Sequence, residues 1–165
     1  MRLTQVSQDH VLQMMSWFND ADSLFSWAGP GFRYPFTHCS FTEDLKLDTS
    51  VSFSLVTHDG ELAGFGQCYL RHDKCHLGRL LIAPNFRGKR CQIGPLASLK
   101  VSHILIHQLI EQGCKELGVR LIPGSVSLFV LNHNLAALNL YLSLGFVESL
   151  YPEPIPIDNC IYMIK

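Results

Sequence analysis

Apolar positions recur at two different spacings along this chain. The first segment, residues 2–6, alternates and predicts a short strand. Ser7 can cap a helix over residues 8–19, where Val11, Met14, Met15 and Phe18 share one face. Residues 21–27 read as a second short helical piece, ended by Gly29-Pro30, and residues 31–37 as loop. Residues 42–47 fit one or two further helical turns. The period then becomes two. Val51–Val56 alternates as a strand, Asp59-Gly60 supplies a hairpin turn, and residues 61–70 form the return strand. Residues 71–74 are another turn, and residues 75–83 a third strand. After a loop come a long helix within residues 96–117, a strand at Val126–Leu131, and a helix over residues 134–144 that Gly145 stops. Residues 146–151 and 160–165 close as strands, joined by the proline-rich segment 152–156.

Antiparallel hairpins come first in this order, followed by β-α-β crossovers. That predicts an α/β (α+β) domain, a mixed and mostly antiparallel sheet flanked by helices, with residues 1–165 as one domain. Of the 165 residues 47% are hydrophobic and 16% charged, so the chain can bury a sizeable core. The formal net charge of −1 gives no broad basic field, so nucleic acid is not an expected partner. The first ten residues have no apolar signal region, and no apolar run reaches the ~18 residues of a membrane span. The six cysteines are scattered without a CxxC pair and read as free thiols in a reducing, cytoplasmic setting. No metal is expected. The adjacent pair Cys75-His76 does not make a zinc-finger spacing, and His103 with His107 lacks a third ligand.

One local basic cluster stands out, in the stretch PNFRGKRCQIG from Pro84 to Gly94. It lies between an apolar strand and a helix start. Free N–H groups at a helix N-terminus, the helix dipole and a glycine-bearing loop together suit a phosphate. Taken alone, Arg87-Gly88-Lys89 is equally a solvated basic turn.

Two motifs decide between these readings. Ile82-Ala83-Pro84-x-x-Arg87-Gly88-Lys89 resembles the V-x-P-x-x-R-G-K segment of the GCN5-related N-acetyltransferases (GNAT superfamily). Downstream, Asn134-x-x-Ala137-x-x-x-Tyr141-x-x-x-Gly145-Phe146 resembles that family's N-x-x-A-x-x-x-Y-x-x-x-G-F signature. The resemblance implies splayed central strands, with acetyl-CoA as acyl donor and CoA as product. The pantetheine arm would lie along Leu80, Leu81 and Ile82. The pyrophosphate would sit on Arg87, Gly88, Lys89, Arg90, Cys91, Gln92, Ile93 and Gly94, with Asn134 and Tyr141 nearby. The loop also departs from the family pattern. Counted from Arg87, its glycine places hold Arg90 and Gln92, and Gly94 fits only with two inserted residues.

The implied reaction is transfer of an acetyl group directly to a primary amine of a small molecule, protein or peptide. The resemblance makes Tyr141 the acid that protonates the departing thiolate; periodicity alone would leave it a core tyrosine. Counting six residues back from Ile82 gives His76 as the base, an imidazole expected to titrate near ~6–7. The bland alternative for His76 is a surface histidine beside a turn. Arg79 is expected to alternate to the opposite face from His76 in a regular strand. The aromatic segment around Trp27, Phe32 and Tyr34 is the candidate acceptor pocket, although most of its rings are expected in core. Acetyl-CoA and an amine acceptor are thus the expected partners, with no membrane, and a homodimer is left open. The competing reading is a CoA-binding sensor or degenerate paralogue with little catalysis, which the glycine-poor loop favours.

Overall fold

The computed structural model describes residues 1–92 and 94–165. The chain runs β1 (Arg2–Gln5), α1 (Gln8–Met15), α2 (Ala21–Ala28), α3 (His38–Leu45), β2 (Val51–Val56), β3 (Leu62–Arg71) and β4 (Lys74–Ile82). It continues through α4 (Val101–Glu116), β5 (Val126–Leu131), α5 (Leu135–Ser143), β6 (Val147–Glu148) and β7 (Cys160–Ile164). Among the described residues the strands form one seven-stranded sheet in the order β1-β2-β3-β4-β5-β7-β6. All neighbours are antiparallel except β4 and β5.

Local sequence sets the helix starts. Ser7 accepts from the His10 N–H, Asp20 from the Ser23 N–H and Thr37 from the Ser40 N–H, each meeting a donor that the helix itself leaves unpaired. Thr37 therefore opens α3 four residues before the turns predicted from periodicity. Its amphipathic signal, Phe41 and Leu45, is too sparse to show the first turn. The β3–β4 turn is tight: His72 and Asp73 both adopt positive φ, 48° and 58°, the twist that a two-residue hairpin needs.

Two helical layers cover the sheet. α4 and α5 pack on one face, where Leu77, Leu109, Leu128, Tyr141 and Phe146 meet in one core cluster. α1, α2 and α3 pack on the other, with Met14, Leu24 and Phe41 against Phe65 and Leu81. α4 approaches β3 closely because Gly66 and Gly113 lack side chains. A Cβ on Gly66 would lie 2.6 Å from Leu109 Cδ2, and one on Gly113 would collide with Cys68 Sγ.

Besides α3, three further elements differ from expectation. The long helix begins at Val101, not near residue 96, because Lys100 pairs with Arg90 in an antiparallel bridge and Leu99 and Ser98 bond the backbone of Cys91. The first helix ends at Met15, with Ser16 at its C-cap. The predicted strand at residues 146–151 shortens to Val147–Glu148, with one further bond from the Ser149 N–H to the Tyr162 carbonyl.

Candidate active site

The β4–β5 pair is the key to the site. The two strands are parallel and in register only at Cys75–Val126, His76–Ser127 and Leu77–Leu128. Past Gly78 they part, and among the described residues the β4 edge facing β5 has no strand partner there. A β-bulge in β4 accompanies the parting. From Phe65↔Leu81 to Gln67↔Gly78, β3 advances two residues while β4 advances three. Arg79 takes up the extra residue at φ 52°.

The bulge changes which side chains share a face. Leu77 and Leu80 both join the α4 side, whereas Leu81 joins the α1–α3 side. Arg79 also turns to the α1–α3 side, where Nη1 donates to the Leu45 carbonyl and to Gln67 Oε1, both at 2.8 Å. His76 and Arg79 therefore line the same cavity. That overturns the strict alternation expected from the sequence. Gly78 inside an otherwise strong strand was the available signal for a bulge.

The parted strands open a cavity of about 1250 Å³. Its walls include Gly78, Arg79, Leu80 and Leu81 of β4, and Leu128, Phe129, Val130 and Leu131 of β5. Asn134, Ala137 and Tyr141 of α5 face it as well. Tyr141 comes from the α4/α5 layer, and His76 and Arg79 from the other face, so the opening passes through the sheet.

Tyr141 is buried, packs edge-on against Phe146 at 5.8 Å, and has its phenol pKa pushed up to about 12 by burial. It is protonated at neutral pH. Asn134 lines the cavity and also caps α5, its Oδ1 accepting from the Ala137 N–H at 3.2 Å.

His76 is 2% exposed. Its Nδ1 lies 2.9 Å from Ser127 Oγ, and its ring contacts Tyr69 and Phe129. Burial first, then the charges of Arg71 and His72, pull its pKa down to about 3. This corrects both the expected titration near neutrality and the surface-histidine alternative. At pH 7 the imidazole is neutral and only weakly basic, able to share a hydrogen bond rather than hold a proton.

Among the described residues of the basic loop, Arg87 alone lines the cavity. Its Nε donates to the Ile82 carbonyl at 3.2 Å. Gly88 has φ 72°, and Gly88, Lys89, Arg90, Gln92 and Gly94 are exposed. The loop uses part of its own backbone. The Lys89 N–H bonds the Phe86 carbonyl, the Cys91 N–H the Leu99 carbonyl and the Val101 N–H the Lys89 carbonyl. Arg90 Nη1 donates to the Ser98 carbonyl. Cys91 is buried in the core, and Ile93 lies outside the described residues. No side chain caps the start of α4 at Lys100.

Ile82 directs its side chain to the core beneath α4 rather than to the cavity. Trp27 lines the cavity and stacks on Phe18 at 4.8 Å. Phe32 and Tyr34 do not line it. Phe32 lies over the Arg79 guanidinium at 4.8 Å and packs on Trp27 and Phe41. Tyr34 is exposed and donates to the Asn19 carbonyl at 2.8 Å. Their part in an acceptor pocket is corrected accordingly: one supports Arg79 and the other ties the loop after α2 to the connection just before α2.

Comparison with known proteins agrees with this geometry. The profile of the acetyltransferase (GNAT) family matches residues 21–91. No curated protein matches the chain significantly by sequence. Solved acetyltransferases share its fold across almost the whole chain. The ribosomal-protein-S18-alanine N-acetyltransferase of Escherichia coli is 20% identical, with a TM-score of 0.60 over 98% of this chain and 90% of that one. The spermidine N-acetyltransferase of Vibrio cholerae, solved with CoA and spermine, is 16% identical, with a TM-score of 0.66 over 98% and 90%. The PaiA N-acetyltransferase of Thermoplasma acidophilum, solved with coenzyme A, is 15% identical, with a TM-score of 0.65 over 98% and 96%.

Proposed function

Taking the chain as the GNAT-fold protein that its sequence match and structural neighbours make it, we propose that it is an N-acetyltransferase. It moves an acetyl group from acetyl-CoA directly to a primary amine. One observation carries the reading: a cavity through the sheet, opened by the parting of β4 and β5, with the protonated Tyr141 on its wall.

The residues present fit the donor. The unpartnered edge of β4 past Gly78 offers backbone groups to the amides of a pantetheine arm, and Leu80, Leu128 and Val130 give it apolar walls. Arg87 at the cavity provides charge for the pyrophosphate, and α4 begins without a side-chain cap, its Val101 N–H taken by the Lys89 carbonyl and its following N–H groups left for an anion. Lys89 and Arg90 add positive charge from the exposed side of the loop.

In the reaction the amine nitrogen attacks the thioester carbonyl carbon. The C–N bond forms, the C–S bond breaks, and its electron pair goes to sulfur. The Tyr141 hydroxyl faces that charge as it develops. Full transfer from a phenol at about 12 to a thiolate whose thiol pKa is ~8.5 runs uphill. Tyr141 therefore donates a hydrogen bond to the sulfur as the C–S bond opens and keeps its proton, and water protonates the released thiolate. Water also removes the proton from the product nitrogen. His76 acts as a neutral hydrogen-bonding group beside the cleft, and water accepts the amine's proton.

The loop geometry favours a second reading. Because the Lys89 and Cys91 N–H groups are already bonded within the loop, the chain could be a CoA-binding sensor with little catalysis. Two measurements separate the readings. Acetyl-CoA at ~100 times its Kd should stabilise either protein by ~2.7 kcal/mol. Only the enzyme should release free thiol when a broad amine panel is added. Absence of any stabilisation by acetyl-CoA would sink both.

A further inference from the structure

Arg71, at the end of β3, directs its guanidinium into a box of aromatic rings. The guanidinium carbon lies 5.4 Å from the Tyr69 ring centre, 5.2 Å from Phe129 and 6.0 Å from Tyr151. Tyr69, Arg71 and Phe129 all line the cavity on the face that carries His76 and Arg79. Rings of this kind hold a guanidinium by its faces and leave its N–H edge open. That edge is unclaimed. Among the described residues Arg71 donates no side-chain hydrogen bond, and no carboxylate lies within 4.0 Å of it.

Arg79, across the same wall, likewise has only neutral hydrogen-bond partners, Leu45 and Gln67, with the Asp44 carboxylate acting on it without a direct bond. Lys46 adds a third cation to this side of the cavity, against one carboxylate, Asp48. A polycationic acceptor would meet like charge here, whereas a carboxylate would find a planar fork already held in place.

We propose that the acceptor is a small aminocarboxylate, whose carboxylate pairs with the Arg71 guanidinium while its amine faces the thioester. This rests on the N-acetyltransferase reading and specifies its substrate class. The uncharged Tyr69, Phe129 and Tyr151 set the fork's plane, and Arg79 strengthens the positive field. Polyamines are excluded by the same charges.

Initial rates of thiol release from acetyl-CoA test this, with L-amino acids, their carboxamides and spermidine as acceptors. At least one amino acid should exceed its own carboxamide by ~10-fold or more in kcat/KM, as expected of a charge-assisted pair. Arg71→Gln should bring that ratio to about one, and Arg71→Lys, which keeps the charge but loses the fork, to an intermediate value. Acetyl-CoA affinity should be the same in all three proteins. Equal use of acids and carboxamides, or preference for spermidine, overturns the proposal.

If no acceptor is acetylated, the enzyme reading fails on its own, and binding decides the remainder. N-acetyl amino acids added with CoA should then raise the melting temperature of the wild type but not of Arg71→Gln. A shift that does not depend on Arg71, or no shift, overturns the aminocarboxylate site.

Discussion

His76 Nδ1 on β4 and Ser127 Oγ on β5 lie 2.9 Å apart, one pair before the last in-register position of the two strands. The contact clasps the strands just where they begin to part. It also holds an imidazole in a site that disfavours its charge, with a pKa of about 3.

A pH dependence of stability follows from that clasp. Between pH 6.5 and about 3 the unfolded chain binds a proton at His76 and the folded chain does not, so this residue makes stability fall as pH falls. From pH 7 to pH 5 the loss is roughly 2 kcal/mol, given an unfolded pKa of ~6.5. His76→Gln cannot titrate and retains hydrogen-bonding capacity. Urea unfolding at the two pH values should show a smaller acid loss in the variant by about that amount. Equal losses would mean that His76 is hydrated and ordinary in solution. For catalysis, kcat/KM should show no wild-type limb near pH 6–7 that disappears in His76→Gln.

Removal of the Tyr141 hydroxyl separates chemistry from binding. Tyr141→Phe keeps the ring that packs on Phe146, and among the described residues it leaves no hydrogen-bond partner of the hydroxyl behind. Acetyl-CoA affinity should hold, while turnover falls by ~10²-fold or more, the scale for losing one donor to a developing charge. Turnover at the wild-type rate, with acceptor saturating, would remove Tyr141 from the reaction.

Where one period dominated, the sequence was readable. Val51–Val56 alternates and Val126–Leu131 is apolar but for Ser127, and both strands lie at those bounds. The Asn134–Phe146 motif placed α5 and brought Tyr141 to the cavity. Three features were hidden, each for a tertiary reason. The bulge at Arg79 depends on pairing with β3, and a one-residue slip moves a side chain across the sheet without changing composition. The late start of α4 depends on the pairing of residues 98–100 with Arg90 and Cys91, set by backbone bonds such as Cys91 N–H to the Leu99 carbonyl. The box around Arg71 draws on Tyr69, Phe129 and Tyr151 from three separate segments, so no sequence spacing announces it.

Packing of α4 on the sheet gives a test of the fold itself. A Cβ at Gly113 would collide with Cys68 Sγ and lie 3.2 Å from Cys75 Sγ. Alanine is favoured over glycine in a helix by ~1 kcal/mol, but overpacking a filled core costs ~1–3 kcal/mol. Gly113→Ala should therefore be neutral to destabilising despite its helix propensity. Adding Cys68→Ala makes room, so the Gly113→Ala step should turn stabilising in that background. A double-mutant cycle by urea unfolding reads the coupling, and additive effects would place Gly113 away from Cys68.

The basic loop can be divided by salt. Arg87 lines the cavity and is steadied by its Nε bond to the Ile82 carbonyl, which leaves the outer guanidinium nitrogens for a phosphate. Lys89 and Arg90 are exposed and outside the cavity lining, and Arg90 is already bonded to Ser98. A direct pair and a distant field respond differently to screening, because exposed charges lose their reach once the Debye length falls to ~3 Å at 1 M salt. Arg87→Ala should weaken acetyl-CoA binding by ~10-fold or more at both low and high salt, the scale of a hydrogen bond to a charged group. Lys89→Ala with Arg90→Ala should weaken it at low salt and match the wild type at high salt. A pantetheine fragment without phosphates should bind all three proteins alike. Calorimetric titration distinguishes the cases, and if Arg87→Ala binds acetyl-CoA as tightly as the wild type at low salt, the pyrophosphate does not sit at this end of the cavity.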